Sequence, residues 1–165
     1  MCHDRRVMTA MRVLMVVAGL VLALDGPRTS KGGGVLDGFV IGHVPREVGP
    51  STSDFESEPE DGVRFTSRVL ERETADGGHS VDLMVIVVRA DSLATLDDLR
   101  DFMSAYHERD PASWTKVQVG ARPGLKDAGR VFWLVEPGVA VSVMIDIARF
   151  GAGELMAVAE GIRKR

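Results

Sequence analysis

Apolar positions along residues 35–165 repeat with two different periods, and each period predicts one kind of element. Alternating or continuous apolar runs predict strands at 38–45, 64–72, 81–89, 114–119, 131–136 and 139–147. Apolar residues three or four positions apart predict helices at 95–108 and 152–163. The resulting order, β-β-β-α-β-β-β-α, predicts an α+β fold: a mainly antiparallel sheet of about six strands with two helices packed on it.

The sequence predicts a central strand for one segment and a loop for another. Residues 81–89 (VDLMVIVVR) are apolar at both sets of alternate positions, so this strand is predicted to be central and covered on both faces. Residues 46–62 (REVGPSTSDFESEPEDG) are acidic, rich in Pro and Ser and without a clear period. They are therefore predicted to form a loop that is either mobile or functional.

An apolar run at 13–24 (VLMVVAGLVLAL) follows three arginines and ends at Asp25-Gly26-Pro27. It is shorter than the ~20 residues that a transmembrane helix needs, and its length and basic flank are typical of a secretory signal. We therefore predict a signal peptide or uncleaved signal-anchor with a Gly-rich linker at 1–34, and a single domain at 35–165. The alternative is a core helix or strand that opens a cytosolic domain, and the flanking residues disfavour it.

The predicted location is therefore extracellular or at the cell membrane, with membrane contact through the N-terminal segment alone. Residues 35–165 carry 15 basic and 22 acidic side chains. A body of this sign repels phosphate backbones, so we predict no nucleic-acid partner. Cys2 is the only cysteine, which excludes an intramolecular disulfide and a thiolate metal site. The four histidines have no ligand spacing and no cofactor motif is present, so we predict neither a metal nor a cofactor.

The densest cluster of titratable residues is the segment 106–110 (YHERD). One interpretation makes His107 a general base that Asp110 orients. We favour a charged helix C-terminus at which cationic side chains oppose the helix dipole, because no nucleophile or oxyanion device accompanies the cluster. We therefore predict no enzymatic activity and no catalytic residue. A solvated helix N-terminus, rather than a cation site, is assigned to three aspartates: Asp97, Asp98 and Asp101.

Large aromatic and methionine side chains are the candidate contact residues. Trp114 and Trp133 are candidate partner-binding residues if they are exposed, although burial is the default for Trp in a small core. In the predicted strand at 131–136, Trp133 shares a face with Val131 and Val135. Four methionines either line a pliable lipid pocket or fill gaps in the core, and gap filling is favoured: Met84, Met103, Met144 and Met156.

Four segments of the C-terminal half resemble a family of exported actinobacterial proteins: 106–114 (YHERDPASW), 122–124 (RPG), 132–143 (FWLVEPGVAVSV) and 149–155 (RFGAGEL). The resemblance covers about residues 35–163 and implies no particular activity. The order of elements is also similar to the PsbP-like fold, which LpqN-type lipoproteins use, and to the sensor-like domains attached to some anti-sigma factors. These resemblances imply binding or scaffolding rather than catalysis. The chain departs from the lipoprotein pattern because it lacks the lipidated Cys.

Two functions follow from these expectations. The first is a non-enzymatic envelope or extracellular domain that binds a protein partner through residues 46–62 and any exposed Trp. The second is a carrier of a small apolar ligand or lipid between the sheet and the helices. The carrier requires a closed cavity of several hundred Å³.

Overall fold

The computed structural model describes residues 33–165, which form two antiparallel sheets and two α-helices. The strands are β1 (Gly34–Leu36), β2 (Phe39–Ile41), β3 (Ser51–Glu60), β4 (Val63–Glu73), β5 (His79–Arg89), β6 (Thr115–Val119), β7 (Arg122–Lys126), β8 (Arg130–Glu136), β9 (Val139–Ile145) and β10 (Ile162–Lys164). The helices are α1 (Leu96–Tyr106) and α2 (Ile147–Glu160), and a short 3-10 turn covers Pro111–Ser113. The predicted α+β class, mainly antiparallel sheet and two helices are confirmed, whereas the predicted strand count and strand order are wrong.

The predicted signal segment at 13–24 lies outside the described residues. Among residues 33–165, neither helix combines the length and apolar character that crossing a membrane requires. Export therefore stays a prediction from the sequence.

The larger sheet has seven strands in the order β3-β4-β5-β9-β8-β7-β6, and all neighbouring strands are antiparallel. It consists of two meanders, β3-β4-β5 and β6-β7-β8-β9, which join where β5 pairs with β9. β5 thus lies inside the sheet, as its apolar sequence predicted. A second sheet, β1-β2-β10, places the C-terminal strand alongside β2.

Apolar side chains cover both faces of the larger sheet. One face packs against α2 and the smaller sheet through buried residues that include Phe39, Val85, Val143, Leu155 and Val158. The other face packs against α1 through buried residues that include Phe65, Leu99, Met103, Phe132 and Ala140. Coverage of both faces confirms the expectation for β5, which has buried side chains on each side, such as Val85 on one and Val88 on the other.

The first apolar run forms a hairpin rather than the single strand predicted at 38–45. β1 and β2 pair Val35 with Val40. The turn between them holds Asp37 at φ 42° and Gly38 at φ 84°. A positive φ at both turn residues matches the twist of a two-residue hairpin.

Residues 51–60 form a strand where a loop was predicted. β3 pairs with β4 from Ser51 opposite Glu71 to Ser57 opposite Phe65. Nine of its ten residues are exposed. Because both faces of this edge strand meet solvent, no alternation of apolar and polar residues marks it in the sequence.

The unpredicted strand β7 contains Pro123 and Gly124, which are poor strand formers. A Cβ atom at Gly124 would lie 2.9 Å from the carbonyl oxygen of Phe132 and 3.2 Å from Cβ of Trp133. Glycine is therefore required for the close approach of β7 to β8.

The predicted start of the second helix at 152 is too late. Asp146 caps α2 by accepting the Arg149 N–H at 3.3 Å. Gly151, at φ 80° and ψ 165°, interrupts the helix in a conformation open essentially to glycine alone. The predicted helix therefore began at the second helical part, and it ran past the true end at Glu160 into β10.

Candidate functional site

The outer edge of β3 is the most exposed strand surface of the domain. Among residues 33–165, β3 pairs with β4 alone, so no described strand pairs with the backbone groups along its other side. The register between Ser51 and Ser57 is regular, and the only shift lies between Ser57 and Glu60. Phe55 sits in the middle of this regular stretch and is 45 % exposed. We call residues 51–61 the acidic edge.

Carboxylates dominate one side of the acidic edge. Asp54 accepts two hydrogen bonds from Arg68, both at 2.7 Å, and Arg68 also donates to the carbonyl oxygens of Gly33 and Val35. Within residues 33–165, no cationic side chain lies within 4.0 Å of the carboxylates of Glu56, Glu58 and Glu60. The edge therefore carries negative charge that the described part of the domain does not neutralise.

Charged residues, proline and bulges commonly protect sheet edges from unwanted pairing. Here the bulge and Pro59 lie at the end of β3, after Ser57. The preceding stretch remains straight and holds an exposed aromatic ring. Protection of the edge is therefore incomplete, and the stretch is open to a further strand.

Asp82 anchors the chain that leads into the acidic edge. It is fully buried and accepts hydrogen bonds from the Gly49 N–H at 2.8 Å and from Arg149 Nη1 at 2.7 Å. Arg72 Nε lies 3.0 Å from the other carboxylate oxygen as an ion-pair contact without hydrogen-bond alignment. A Cβ atom at Gly49 would lie 2.0 Å from the Glu71 carbonyl oxygen. Sequence reasoning missed this network, although a lone Asp in the apolar run 81–89 was a signal for it.

A second candidate is an open cleft of about 310 Å³ between the sheet, the end of α2 and β10. We call it the basic cleft, and its lining includes Phe39, Val119, Arg122, Trp133, Ile162 and Arg163. The buried rings of Phe39 and Trp133 belong to its apolar floor.

Both tryptophans are core residues, as the default for Trp predicted. Trp114 is 7 % exposed, and its indole N–H donates to Ser104 Oγ at 2.8 Å. Trp133 is 3 % exposed. The interpretation of Trp114 and Trp133 as partner-binding residues required an exposed indole, and the structure supplies that at neither position. The reason is that each ring fills the space between the sheet and a covering layer.

The cluster at 106–110 does not assemble the general base of the alternative that we disfavoured. Asp110 Oδ1 accepts the Ala112 N–H at 2.8 Å and caps the 3-10 turn, and no hydrogen bond joins it to His107. Arg109 instead forms an ion pair with Asp127, and its guanidinium lies 5.1 Å from the ring centre of Trp114.

His107 is also not the cationic cap that we favoured. The pKa of His107 is lowered to about 4, chiefly by burial and also by the positive charges of Arg130 and Arg109, while the Asp127 carboxylate opposes them. The imidazole is therefore neutral at pH 7, and Nε2 has no hydrogen-bond partner among the described residues. An imidazole with this pKa is a weak proton acceptor at neutral pH.

We expect NMR titration of the full chain to give a His107 midpoint near pH 4. Arg130→Gln should raise that midpoint, because it removes a nearby positive charge, whereas the distant Arg163→Gln should leave it in place. In the unfolded chain His107 has a pKa of about 6.5. Between about pH 4 and this value the unfolded state therefore binds more protons than the folded state. His107 therefore lowers stability as the pH falls through this window. A midpoint above pH 6 would show that the imidazole is hydrated.

The three aspartates at the start of α1 have protein partners. Asp98 and Thr95 form a capping box, with the Asp98 N–H donating to Thr95 Oγ1 at 3.1 Å and the Thr95 N–H donating to Asp98 at 2.8 Å. Asp97 and Asp101 each lie 2.9 Å from Arg100. Within residues 33–165, no three His, Cys, Asp or Glu side chains are grouped to hold a metal ion.

The methionines are divided between layers. Met103 is buried on the α1 side, and Met156 packs on the α2 side. Met144 contacts Arg130 through its sulfur at 3.3 Å, beside an open cleft of about 330 Å³. Met103 and Met156 therefore cannot line one pocket, because the sheet lies between them.

No protein-family model, curated protein or solved structure matches the chain. The resemblances to exported actinobacterial proteins and to the PsbP-like fold therefore stay predictions.

Proposed function

We propose that this chain is an exported or membrane-tethered, non-enzymatic domain that binds a protein partner at the cell envelope by accepting a partner strand at β3. The observation that carries the proposal is the regular, exposed stretch from Ser51 to Ser57, with one side of its backbone unpaired by any strand of the described part of the chain. Strand addition obtains affinity from backbone hydrogen bonds and specificity from alternate side chains. This binding mode requires no reactive group.

The charge of the acidic edge defines the partner. An added strand along Ser51–Ser57 would place one set of alternate side chains beside Glu56, with Glu58 close to its end, and the intervening ones beside Phe55. The complementary segment is therefore an extended one with Lys or Arg at alternate positions and an apolar residue between them. Charge complementarity of this kind speeds association and fixes the register.

The anchoring of β3 supports the same proposal. Arg68 holds Asp54 and the carbonyl oxygens of Gly33 and Val35. Asp82 holds the Gly49 N–H just before the strand begins. A strand fixed in this way loses little conformational freedom when a partner pairs with it.

The proposal can be tested with a photo-crosslinking amino acid at position 55 of the full chain in its native cells. We expect one envelope protein to be captured, and its crosslinked peptide to be an extended basic segment. The double variant Glu56→Lys/Glu58→Lys should reduce capture at least tenfold. The matched variant Asp97→Lys/Asp101→Lys changes two exposed positions of α1 and should not reduce capture. Equal loss in both variants, or the same capture from a crosslinker at position 97, would refute strand addition at this edge.

The carrier function takes second place. It requires a closed cavity, whereas the two clefts described above are open. Core positions between the sheet and α2 are filled by fully buried side chains such as Val85, Val141 and Val143. Native mass spectrometry that finds an apolar ligand on the purified full chain would reverse this ranking.

A further inference from the structure

The basic cleft lies at the far end of the larger sheet from the acidic edge. It is bounded by the turn between β6 and β7, by β8, by the end of α2 and by β10. Its volume of about 310 Å³ is at the lower end of the range for small-molecule pockets. An occupant must therefore be small, and it does not compete with a strand added at β3.

The floor of the basic cleft is apolar. Phe39, Val119, Trp133 and Ala159 line it and are each less than 6 % exposed. Ile162 adds a half-buried apolar side chain at the β10 side. A floor of this composition binds a flat or short apolar group by removing its surface from water.

The lining of the cleft is positively charged. Three cationic residues, Arg122, Arg163 and Lys164, line it together with one acidic residue, Glu160. Lys164 is already occupied, because it donates to both carboxylate oxygens of Glu136 at 2.6 and 2.8 Å. Among the described residues, no carboxylate lies within 4.0 Å of the guanidinium of Arg122 or Arg163.

The field of these cations reaches a neighbouring carboxylate. The hydrogen bonds from Lys164 lower the pKa of Glu136, and the positive charge of Lys164 acts in the same direction, as do those of Arg89 and Arg122. A carboxylate at this end of the sheet is therefore stabilised in its ionised form. This shift comes mainly from the direct pair with Lys164, so the binding of an anion in the cleft would depend on Arg122 and Arg163, which line it.

We propose that the basic cleft binds a small amphipathic monocarboxylate. Its apolar body rests on the half-buried side chains of Val135 and Ile162, above the buried rings of the floor, and its carboxylate pairs with Arg122 or Arg163. Guanidinium groups suit this role because their planar donors match the two oxygens of a carboxylate. A neutral apolar ligand would leave Arg122 and Arg163 without an anionic partner, and a larger lipid would exceed the volume of the cleft.

The test uses 4-phenylbutyrate and its neutral amide as probes of the full chain, followed by NMR and by Trp fluorescence. We expect the carboxylate to shift signals of Trp133, Val119 and Ile162, and to bind at least tenfold more tightly than the amide. Arg122→Gln should weaken carboxylate binding about tenfold, the size of a charge-assisted hydrogen bond. Arg46→Gln, an exposed arginine on a distant loop, should leave the affinity unchanged.

A second pair of variants separates charge from shape. Ala121 is exposed and lines the cleft, so substitutions there should not disturb folding, which circular dichroism can check. Ala121→Glu should reduce carboxylate binding more than tenfold, whereas the size-matched Ala121→Gln should keep it within about twofold. Equal binding of carboxylate and amide, signal changes confined to residues around Arg130, or no binding at millimolar carboxylate would each overturn the proposal.

Discussion

Asp82→Asn is expected to lower the free energy of unfolding by about 3 kcal/mol, because it leaves two arginines without the buried charge that pairs them. Asp82 is fully buried, and its oxygens receive Arg149 at 2.7 Å, Arg72 at 3.0 Å and the Gly49 N–H at 2.8 Å. The asparagine amide would direct its donors toward the arginine donors at a fully buried side-chain position. Urea unfolding of the full chain, followed by Trp fluorescence, measures the loss.

The control for Asp82 is Asp101→Asn. Asp101 also pairs with an arginine, but its side chain is 62 % exposed. Solvent screens such a pair, so we expect a change within about 0.5 kcal/mol. Hydrogen exchange adds a local readout, because the Gly49 amide should lose its protection in Asp82→Asn and retain it in Asp101→Asn. A loss below about 1 kcal/mol in Asp82→Asn would show that the network contributes little to stability.

Phe132→Ala is expected to cost about 4 kcal/mol of unfolding free energy. The Phe132 ring is completely buried between β8 and α1 and packs edge-on against Trp114 with ring centres 4.8 Å apart. Its removal opens a cavity bordered by rigid strands, which cannot collapse to fill the space. Thermal and urea unfolding of the same sample provide the measurement.

Phe55→Ala is the matched comparison for Phe132. The same atoms are removed, but Phe55 lies on the acidic edge and is 45 % exposed. We expect a change in stability within about 0.5 kcal/mol and, if strand addition is correct, weaker binding of the partner that the crosslinking experiment identifies. Equal destabilisation by the two substitutions would mean that Phe55 belongs to the core in solution.

The elements that sequence patterns predicted are those that bury at least one face. The stripe of α1, the continuous apolar run of β5 and the alternation of β8 and β9 all follow from burial, and the structure confirms them. β3 has no buried face, so its sequence lacks the signal that would reveal a strand. The sequence did not predict β7, because Pro123 and Gly124 have low strand propensity. Gly124 is present because β7 approaches β8 closely, and this contact cannot be read from the local sequence.

The candidate sites were less predictable than the fold. Residues 46–62 were expected to form a loop that is either mobile or functional, and their role in binding stays a prediction. The regular edge that they form depends on pairing with β4, which the sequence does not specify. The basic cleft joins residues from β2, β7 and β10, which are distant in the chain. His107 was expected to be cationic because its position in the helix was known and its burial against Tyr106 and Trp114 was not.

The order of strands in the larger sheet also has a consequence for how the chain folds. Strands within each meander are neighbours in sequence, whereas the β5–β9 pairing joins Leu83 to Ile145 across α1 and the whole second meander. Non-local pairing is slow because a long loop must close first. During synthesis β5 leaves the ribosome well before β9. The edge of β5 that later pairs with β9 therefore stays exposed to solvent during this interval. Nascent chains are therefore exposed to misassociation until the second meander emerges, and an exported form is expected to depend on a holding chaperone.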